Sequence, residues 1–214
     1  MANVNQQLDA PAIPTLASSS NSYSQDLQNQ NNSVTRTFFT KLTNVVSNIV
    51  GRKGGRYLNN PYGAFQSTVD QTATAANTAY AMTLNTTDYA NGVSIVSSSR
   101  ITVVDAGIWN LQWSGQFENT DSQDHDVRVF LKINGTVVTG STGFFAVASK
   151  HGSVNGHALV GWNYFLSLNA TDYVELWWET DNTLVTIQAY AAAGDYPSTA
   201  SLIATMSFVS NLTT

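Results

Sequence analysis

The chain has 214 residues, of which only 11% are charged, against about a quarter in a typical soluble domain. That length allows one full-sized domain plus an appendage, and a formal net charge of −5 argues against nucleic-acid binding. With no cysteine there is no disulfide framework, which excludes a small disulfide-stapled secreted domain.

The opening Met1-Ala2-Asn3-Val4-Asn5-Gln6 lacks the basic start and apolar run of a signal peptide. No apolar stretch approaches the roughly 18 residues of a membrane span. The expectation is a soluble protein made in the cytoplasm, with no membrane insertion.

Residues 1–25 read as an extended arm. Pro11 and Pro14 break any helix there, and Ser18-Ser19-Ser20-Asn21-Ser22 is a flexible polar stretch. Such a segment buries too little apolar surface to offset its ordering entropy alone, so order would require a partner surface.

Residues 26–56 read as an anchor or neck helix followed by a hinge. Leu27, Val34, Phe38, Leu42, Val45 and Ile49 recur at helical spacing, with Phe39, Val46 and Val50 widening the face. Ser24 or Asp26 is positioned to cap the start, and Gly51 to stop the end. The steps of four, three and four from Phe38 to Ile49 are those of a coiled coil, over too short a run to hold helices together unaided. Arg36, Lys41, Arg52, Lys53 and Arg56 make the stem basic, in a window with no acid. All the acidic residues except Asp9 and Asp26 lie from Asp70 onward, which gives an acidic head on a basic stem. Helix-end electrostatics and ordinary solubility explain the same asymmetry.

Residues 57–214 read as the head, built of short alternating strands after a turn-rich joint. In the run Trp109 to Phe117 one face is large and apolar and the other polar. Val127, Val129, Leu131 and Ile133 alternate with Arg128, Phe130 and Lys132, and Asn134-Gly135 is a two-residue hairpin turn. Further alternating runs begin at Tyr80, Val93, Ile101, Trp162, Val174, Val185 and Leu202. Some eight strands with no intervening helix predict a β-sandwich. Its core would hold Trp109, Leu111, Trp113, Leu166, Leu168 and Leu176.

Two stretches carry a resemblance. Ile101-x-Val103-x-x-x-Gly107-Ile108-Trp109-x-Leu111-x-Trp113 resembles the C1q-like signature of a central strand. Leu166-Ser167-Leu168-Asn169-Ala170-Thr171-Asp172-Tyr173-Val174-Glu175-Leu176 resembles the later strand–turn–strand of that family, with Thr171 where the family pattern has glycine. Ser201-Leu202-Ile203-Ala204 is similar to its short last strand. The resemblance covers roughly residues 64–210. It implies a jelly-roll sandwich of the C1q and tumour-necrosis-factor type, assembling as a homotrimer. The arm, the helix and the stretch that begins Asn59-Asn60-Pro61-Tyr62-Gly63 also look like virion structural proteins of marine and cyanobacterial phages.

Large aromatics off the core register predict a second buried surface. Phe130, Phe165 and Trp177 fall on outward strand positions, and Phe144-Phe145 falls in what reads as a polar loop. These five are the trimer-interface candidates, against a slipped register or a bulge. Asp121, Asp124, His125 and Asp126 form an acidic loop with oxygen ligands suited to calcium, without the spacing of a twelve-residue calcium loop. His125, His151 and His157 lack zinc-ligand spacing. Glu118, Glu175, Glu179 and Asp181 could supply a carboxylate pair for glycoside hydrolysis, yet acids on outward strand positions usually face solvent. There is no G-x-S-x-G nucleophile motif. The sequence therefore predicts no enzyme, no cofactor and no metal.

The expected function is that of a homotrimeric phage virion structural protein, located in the virion. Its arm and helix would anchor it to another virion protein of capsid or tail, with the head displayed as a capsid decoration or short appendage. The alternative is a tail fibre or knob whose head binds a host-surface glycan, with Trp177 as the most accessible stacking ring.

Overall fold

The computed structural model describes residues 12–17, 22–50 and 60–210, with the side chains of 48–50 left out of the description. The chain divides into two units, Met1–Asn59 and Asn60–Thr214.

The first unit is built on α1 (Gln25–Val50). Ser24 is the cap: its hydroxyl accepts from the Leu27 N–H at 3.3 Å and its carbonyl from the Gln28 N–H at 3.1 Å. These bonds satisfy amide donors that a helix start leaves unpaired. Asp26 lies in the first turn, where its negative charge faces the positive end of the helix dipole. Leu27, Val34, Phe38, Leu42 and Val45 are half-buried, while Phe39 and Val46, at the margin of the same face, are exposed. Residues 12–17 run back along the helix. Asn31 holds them with both ends of its amide, accepting from the Ala17 N–H at 3.0 Å and donating to the Ala17 carbonyl at 3.4 Å. Ala12, Ile13 and Pro14 then border a groove of about 330 Å³ with Val34, Thr37, Phe38 and Lys41. Among the described residues, no helix is long and apolar enough to cross a membrane.

The second unit is two antiparallel sheets. Sheet I runs β2 (Gln71–Thr72), β13 (Val185–Ile187), β7 (Gly107–Asn119), β14 (Leu202–Ser210), β1 (Tyr62–Ser67), β4 (Thr86–Asn91). On its other side β7 pairs with β11 (Gly156–Leu168) along the whole length of both strands. Sheet II runs β10 (Gly143–Val147), β8 (His125–Ile133), β12 (Tyr173–Thr180), β6 (Arg100–Val103), β5 (Val93–Val96). Beside it β3 (Tyr80–Ala81) pairs with β12 and β9 (Thr136–Val137) with β8.

The side-chain period of two sends alternate residues of each strand into the space between the sheets. Trp109, Leu111, Trp113, Leu166, Leu168 and Leu176 are all buried there. Phe117 of sheet I meets Phe145 and Trp178 of sheet II edge-on, with ring centres 4.9 and 6.1 Å apart. Trp162 is the exception on its face. It is half exposed, stacked on Tyr164, and lies over Gly143, where an added Cβ would come within 2.3 Å of the indole.

Several sequence expectations change. Phe144-Phe145 is not a polar loop but part of β10, because Phe144 and Phe145 pair with Arg128 and Val127 of β8. Phe145 consequently points into the core rather than outward. Met82 and Leu84 are buried outside any regular strand; the Gln71 amide clamps Thr83 between them, accepting from its N–H at 2.7 Å and donating to its carbonyl at 3.1 Å. Strands β1 and β4 were not anticipated at all. At the Asn134-Gly135 turn both residues have positive φ, 50° and 80°, as the primed hairpin turn requires.

Candidate assembly surfaces

The outer face of sheet II is charged, and its cations sit against carboxylates or aromatic rings of the same face. Register sets Arg128 opposite Glu179, Phe130 opposite Trp177 and Lys132 opposite Glu175. Arg128 pairs with Glu179 and lies 4.6 Å above the Phe144 ring; Lys132 lies 3.3 Å above the Trp177 ring. Arg100 lies 4.5 Å above Tyr173. Glu175, although on an outward position, is buried; it accepts from the Ser99 hydroxyl at 2.7 Å and from the Trp177 indole N–H at 3.5 Å. Trp177 is therefore capped by a cation on its face, and stacking of a sugar there would have to displace Lys132.

The outer face of sheet I carries no lysine or arginine among its outward strand positions. Tyr62 and Gln66 of β1, Ile203 and Val209 of β14, Asn110 and Gln112 of β7, and Leu159, Asn163 and Phe165 of β11 lie on it. Leu159 and Phe165 are each 68% exposed. Asn110 donates to Asn163 at 2.6 Å, tying β7 to β11 across this face. Glu118 and His157 sit at one end of it and Asp88 at the β4 edge, where Gln66 donates to Asp88 at 2.7 Å. The arginines and lysine of the head's strands, Arg100, Arg128 and Lys132, all belong to sheet II.

The five aromatic interface candidates thus separate. Phe130, Phe144 and Trp177 lie on the outside of sheet II, Phe145 lies inside, and Phe165 is on sheet I. Alternation fixes which side of its own strand a residue takes, but not which sheet the strand joins.

The acidic loop is engaged with protein donors. His125 lies between two carboxylates, Nε2 at 2.9 Å from Asp121 and Nδ1 at 3.0 Å from Asp181. Asn182 donates to Asp121 at 3.1 Å, and the Ser149 N–H donates to Asp124 at 2.7 Å. The hydrogen bond from His125, aided by the Ser122 N–H, holds the Asp121 carboxyl below its usual range. Among the described residues no group of three or more His, Cys, Asp or Glu side chains is arranged to hold a metal ion. The histidines are dispersed, since His157 lies against Tyr190 and His151 bridges through its backbone to Val154. Glu118 is on sheet I while Glu175 and Glu179 are on sheet II, where Glu175 accepts from Ser99 and Glu179 pairs with Arg128.

In the stem, Arg36 and Lys41 are exposed. Arg52, Lys53 and Arg56, the hinge and the Ile49 side chain lie outside the described residues. The bridge from His125 to Asp181 and the contacts of Tyr190 had no signal in the sequence, since their partners are separated by dozens of positions. Compared with known families and with curated proteins, the chain matches no family model and no curated sequence.

Proposed function

We propose that this chain is a non-enzymatic virion structural protein that forms a homotrimer through the outer face of sheet I and is anchored by its arm and helix. The carrying observation is the split of charge between the sheets: every strand cation of the head is on sheet II, while sheet I offers Leu159, Phe165, Ile203 and Val209 on a face without lysine or arginine. Interface centres are depleted in charge and enriched in large apolar side chains, and this face combines the absence of lysine and arginine with Leu159 and Phe165 at 68% exposure. The strand order β1–β14–β7–β11 against β6–β12–β8–β10 is compatible with a jelly roll of the C1q and tumour-necrosis-factor type. That fold, together with the resemblance of 101–113 and 166–176, supports the trimeric reading and the kinship with phage virion heads.

In this reading the first unit is the anchor. Arg36 and Lys41 give it positive charge for an acidic capsid surface, which favours a capsid decoration or short appendage. Light scattering coupled to size exclusion tests the assembly: a species near three times the 23.1 kDa chain is expected, and a clean monomer overturns it. Removing residues 1–59 is expected to leave a soluble head that no longer docks onto particles. Full docking by the truncated head would overturn the anchor.

A further inference from the structure

Between β13 and β14 the chain leaves the sandwich and returns as a small hairpin. Tyr190 and Thr199 exchange backbone hydrogen bonds of 3.0 and 2.8 Å, as do Ala193 and Tyr196 at 3.2 and 3.3 Å. Gly194 takes the turn with φ at +59°. Every residue from 191 to 198 is exposed. The hairpin buries no apolar side chain, so core packing does not account for it.

Its base and the loop after β1 enclose a cleft of about 560 Å³, inside the span of roughly 300–1,000 Å³ of ordinary ligand sites. Gln66, Thr68, Asp70, Tyr190, Ser198 and Thr199 supply polar lining, and Val69, Ala189, Ala191 and Ala200 supply apolar lining. Asp70 is fixed in place. It accepts from the Ala189 N–H at 2.9 Å, and the Gln188 amide lies beside it; assigning that amide so that its nitrogen faces the carboxylate and its oxygen faces the Thr186 hydroxyl pairs every donor with an acceptor, with N···O distances to Asp70 of 2.9 and 3.1 Å. An ionised carboxylate has about four lone-pair sites, so acceptor capacity remains.

Tyr190 is equally fixed. Its hydroxyl donates to Glu118 at 2.9 Å, and burial together with that carboxylate pushes the phenol far above its usual range. The single phenolic proton goes to Glu118, so the His157 Nδ1 at 3.1 Å is the donor to the phenol oxygen.

We propose that this cleft binds a neutral saccharide of one or two sugar units, with Asp70 accepting hydrogen bonds from adjacent hydroxyls. The lining holds both donors and acceptors, as sugar hydroxyls require, and small apolar patches that suit the C–H face of a pyranose. It contains no lysine or arginine, and Asp70 with Glu118 behind Tyr190 disfavours phosphate, sulfate and sialic acid. Each lining residue comes from one chain, and of them Gln66 also lies on the outer face of sheet I that is assigned to the trimer.

The test uses the full-length protein on a panel of neutral oligosaccharides of glucose, galactose, mannose, rhamnose and N-acetylhexosamines, with sialylated and sulfated counterparts, followed by calorimetric titration of the best binder. Binding to a neutral member is expected. D70N should weaken it at least about tenfold through the lost charged acceptor. Because D70N also disturbs the Ala189 and Gln188 bonds, A191W is the second variant; it fills the cleft from an exposed position, and should abolish binding without lowering the melting temperature. Failure to bind any neutral member, a preference for the acidic set, or wild-type affinity in A191W would each overturn the proposal.

Discussion

The ammonium nitrogen of Lys132 lies 3.3 Å from the centre of the Trp177 ring, on neighbouring strands of sheet II. The pair turns an aromatic that looks available for stacking into one already occupied. K132M should cost about 0.5–1 kcal/mol of stability in urea titrations, the worth of an exposed cation–π contact. It should leave the oligomeric mass unchanged, because the pair is on the sheet assigned to solvent.

A charge on the other sheet should act differently. L159E places a carboxylate on the charge-poor face of β11, where three copies would bring like charges into a desolvated contact. Light scattering is expected to show dissociation toward 23.1 kDa. F144S, on the outside of sheet II, should remain assembled.

Acid should weaken the head through its loops. Asp172 is held below the usual carboxylate range by hydrogen bonds from Asn134 and the Asn169 N–H, and Asp124 likewise by those from Ser149. A carboxyl with a depressed folded pKa adds stability that is present above its unfolded pKa and lost as pH falls through the folded one. Stability measured by tryptophan fluorescence should therefore decline as pH drops below about 4. D172N should be less stable than the parent at pH 7 and show a shallower decline.

Thr171 occupies the left-handed region at φ 71°, where a β-branched residue is strained. T171G should raise stability by about 0.5–1 kcal/mol, the relief of that strain less the entropy glycine loses on folding. A lower denaturation midpoint for T171G would contradict this.

Legibility followed the strength of local patterning. β7, β8 and β12 announce themselves because large apolar residues alternate over eight or more positions. β1 does not, since its inward positions are Gly63, Phe65 and Ser67 and only one of them is large and apolar. β4 is a polar strand at the sheet edge, with no buried position to mark it. β10 was hidden by two adjacent phenylalanines, which break the alternation until pairing with β8 turns one in and one out.

By itself the sequence determined the division into helical stem and strand-rich head, the inward face of the long strands and the Asn134-Gly135 turn. All of these rest on periods of two or 3.6 residues or on the φ preference of one or two residues, which are local properties. Only the tertiary structure decided which strands share a sheet, and with that the separation of Phe165 from Trp177, the gathering of strand cations on sheet II, and the joining of Asp70 and Tyr190 around one cleft. Those outcomes depend on pairing between residues as far apart as Asp70 and Ala189, and a pattern read along the chain has no access to which distant strand will be its neighbour.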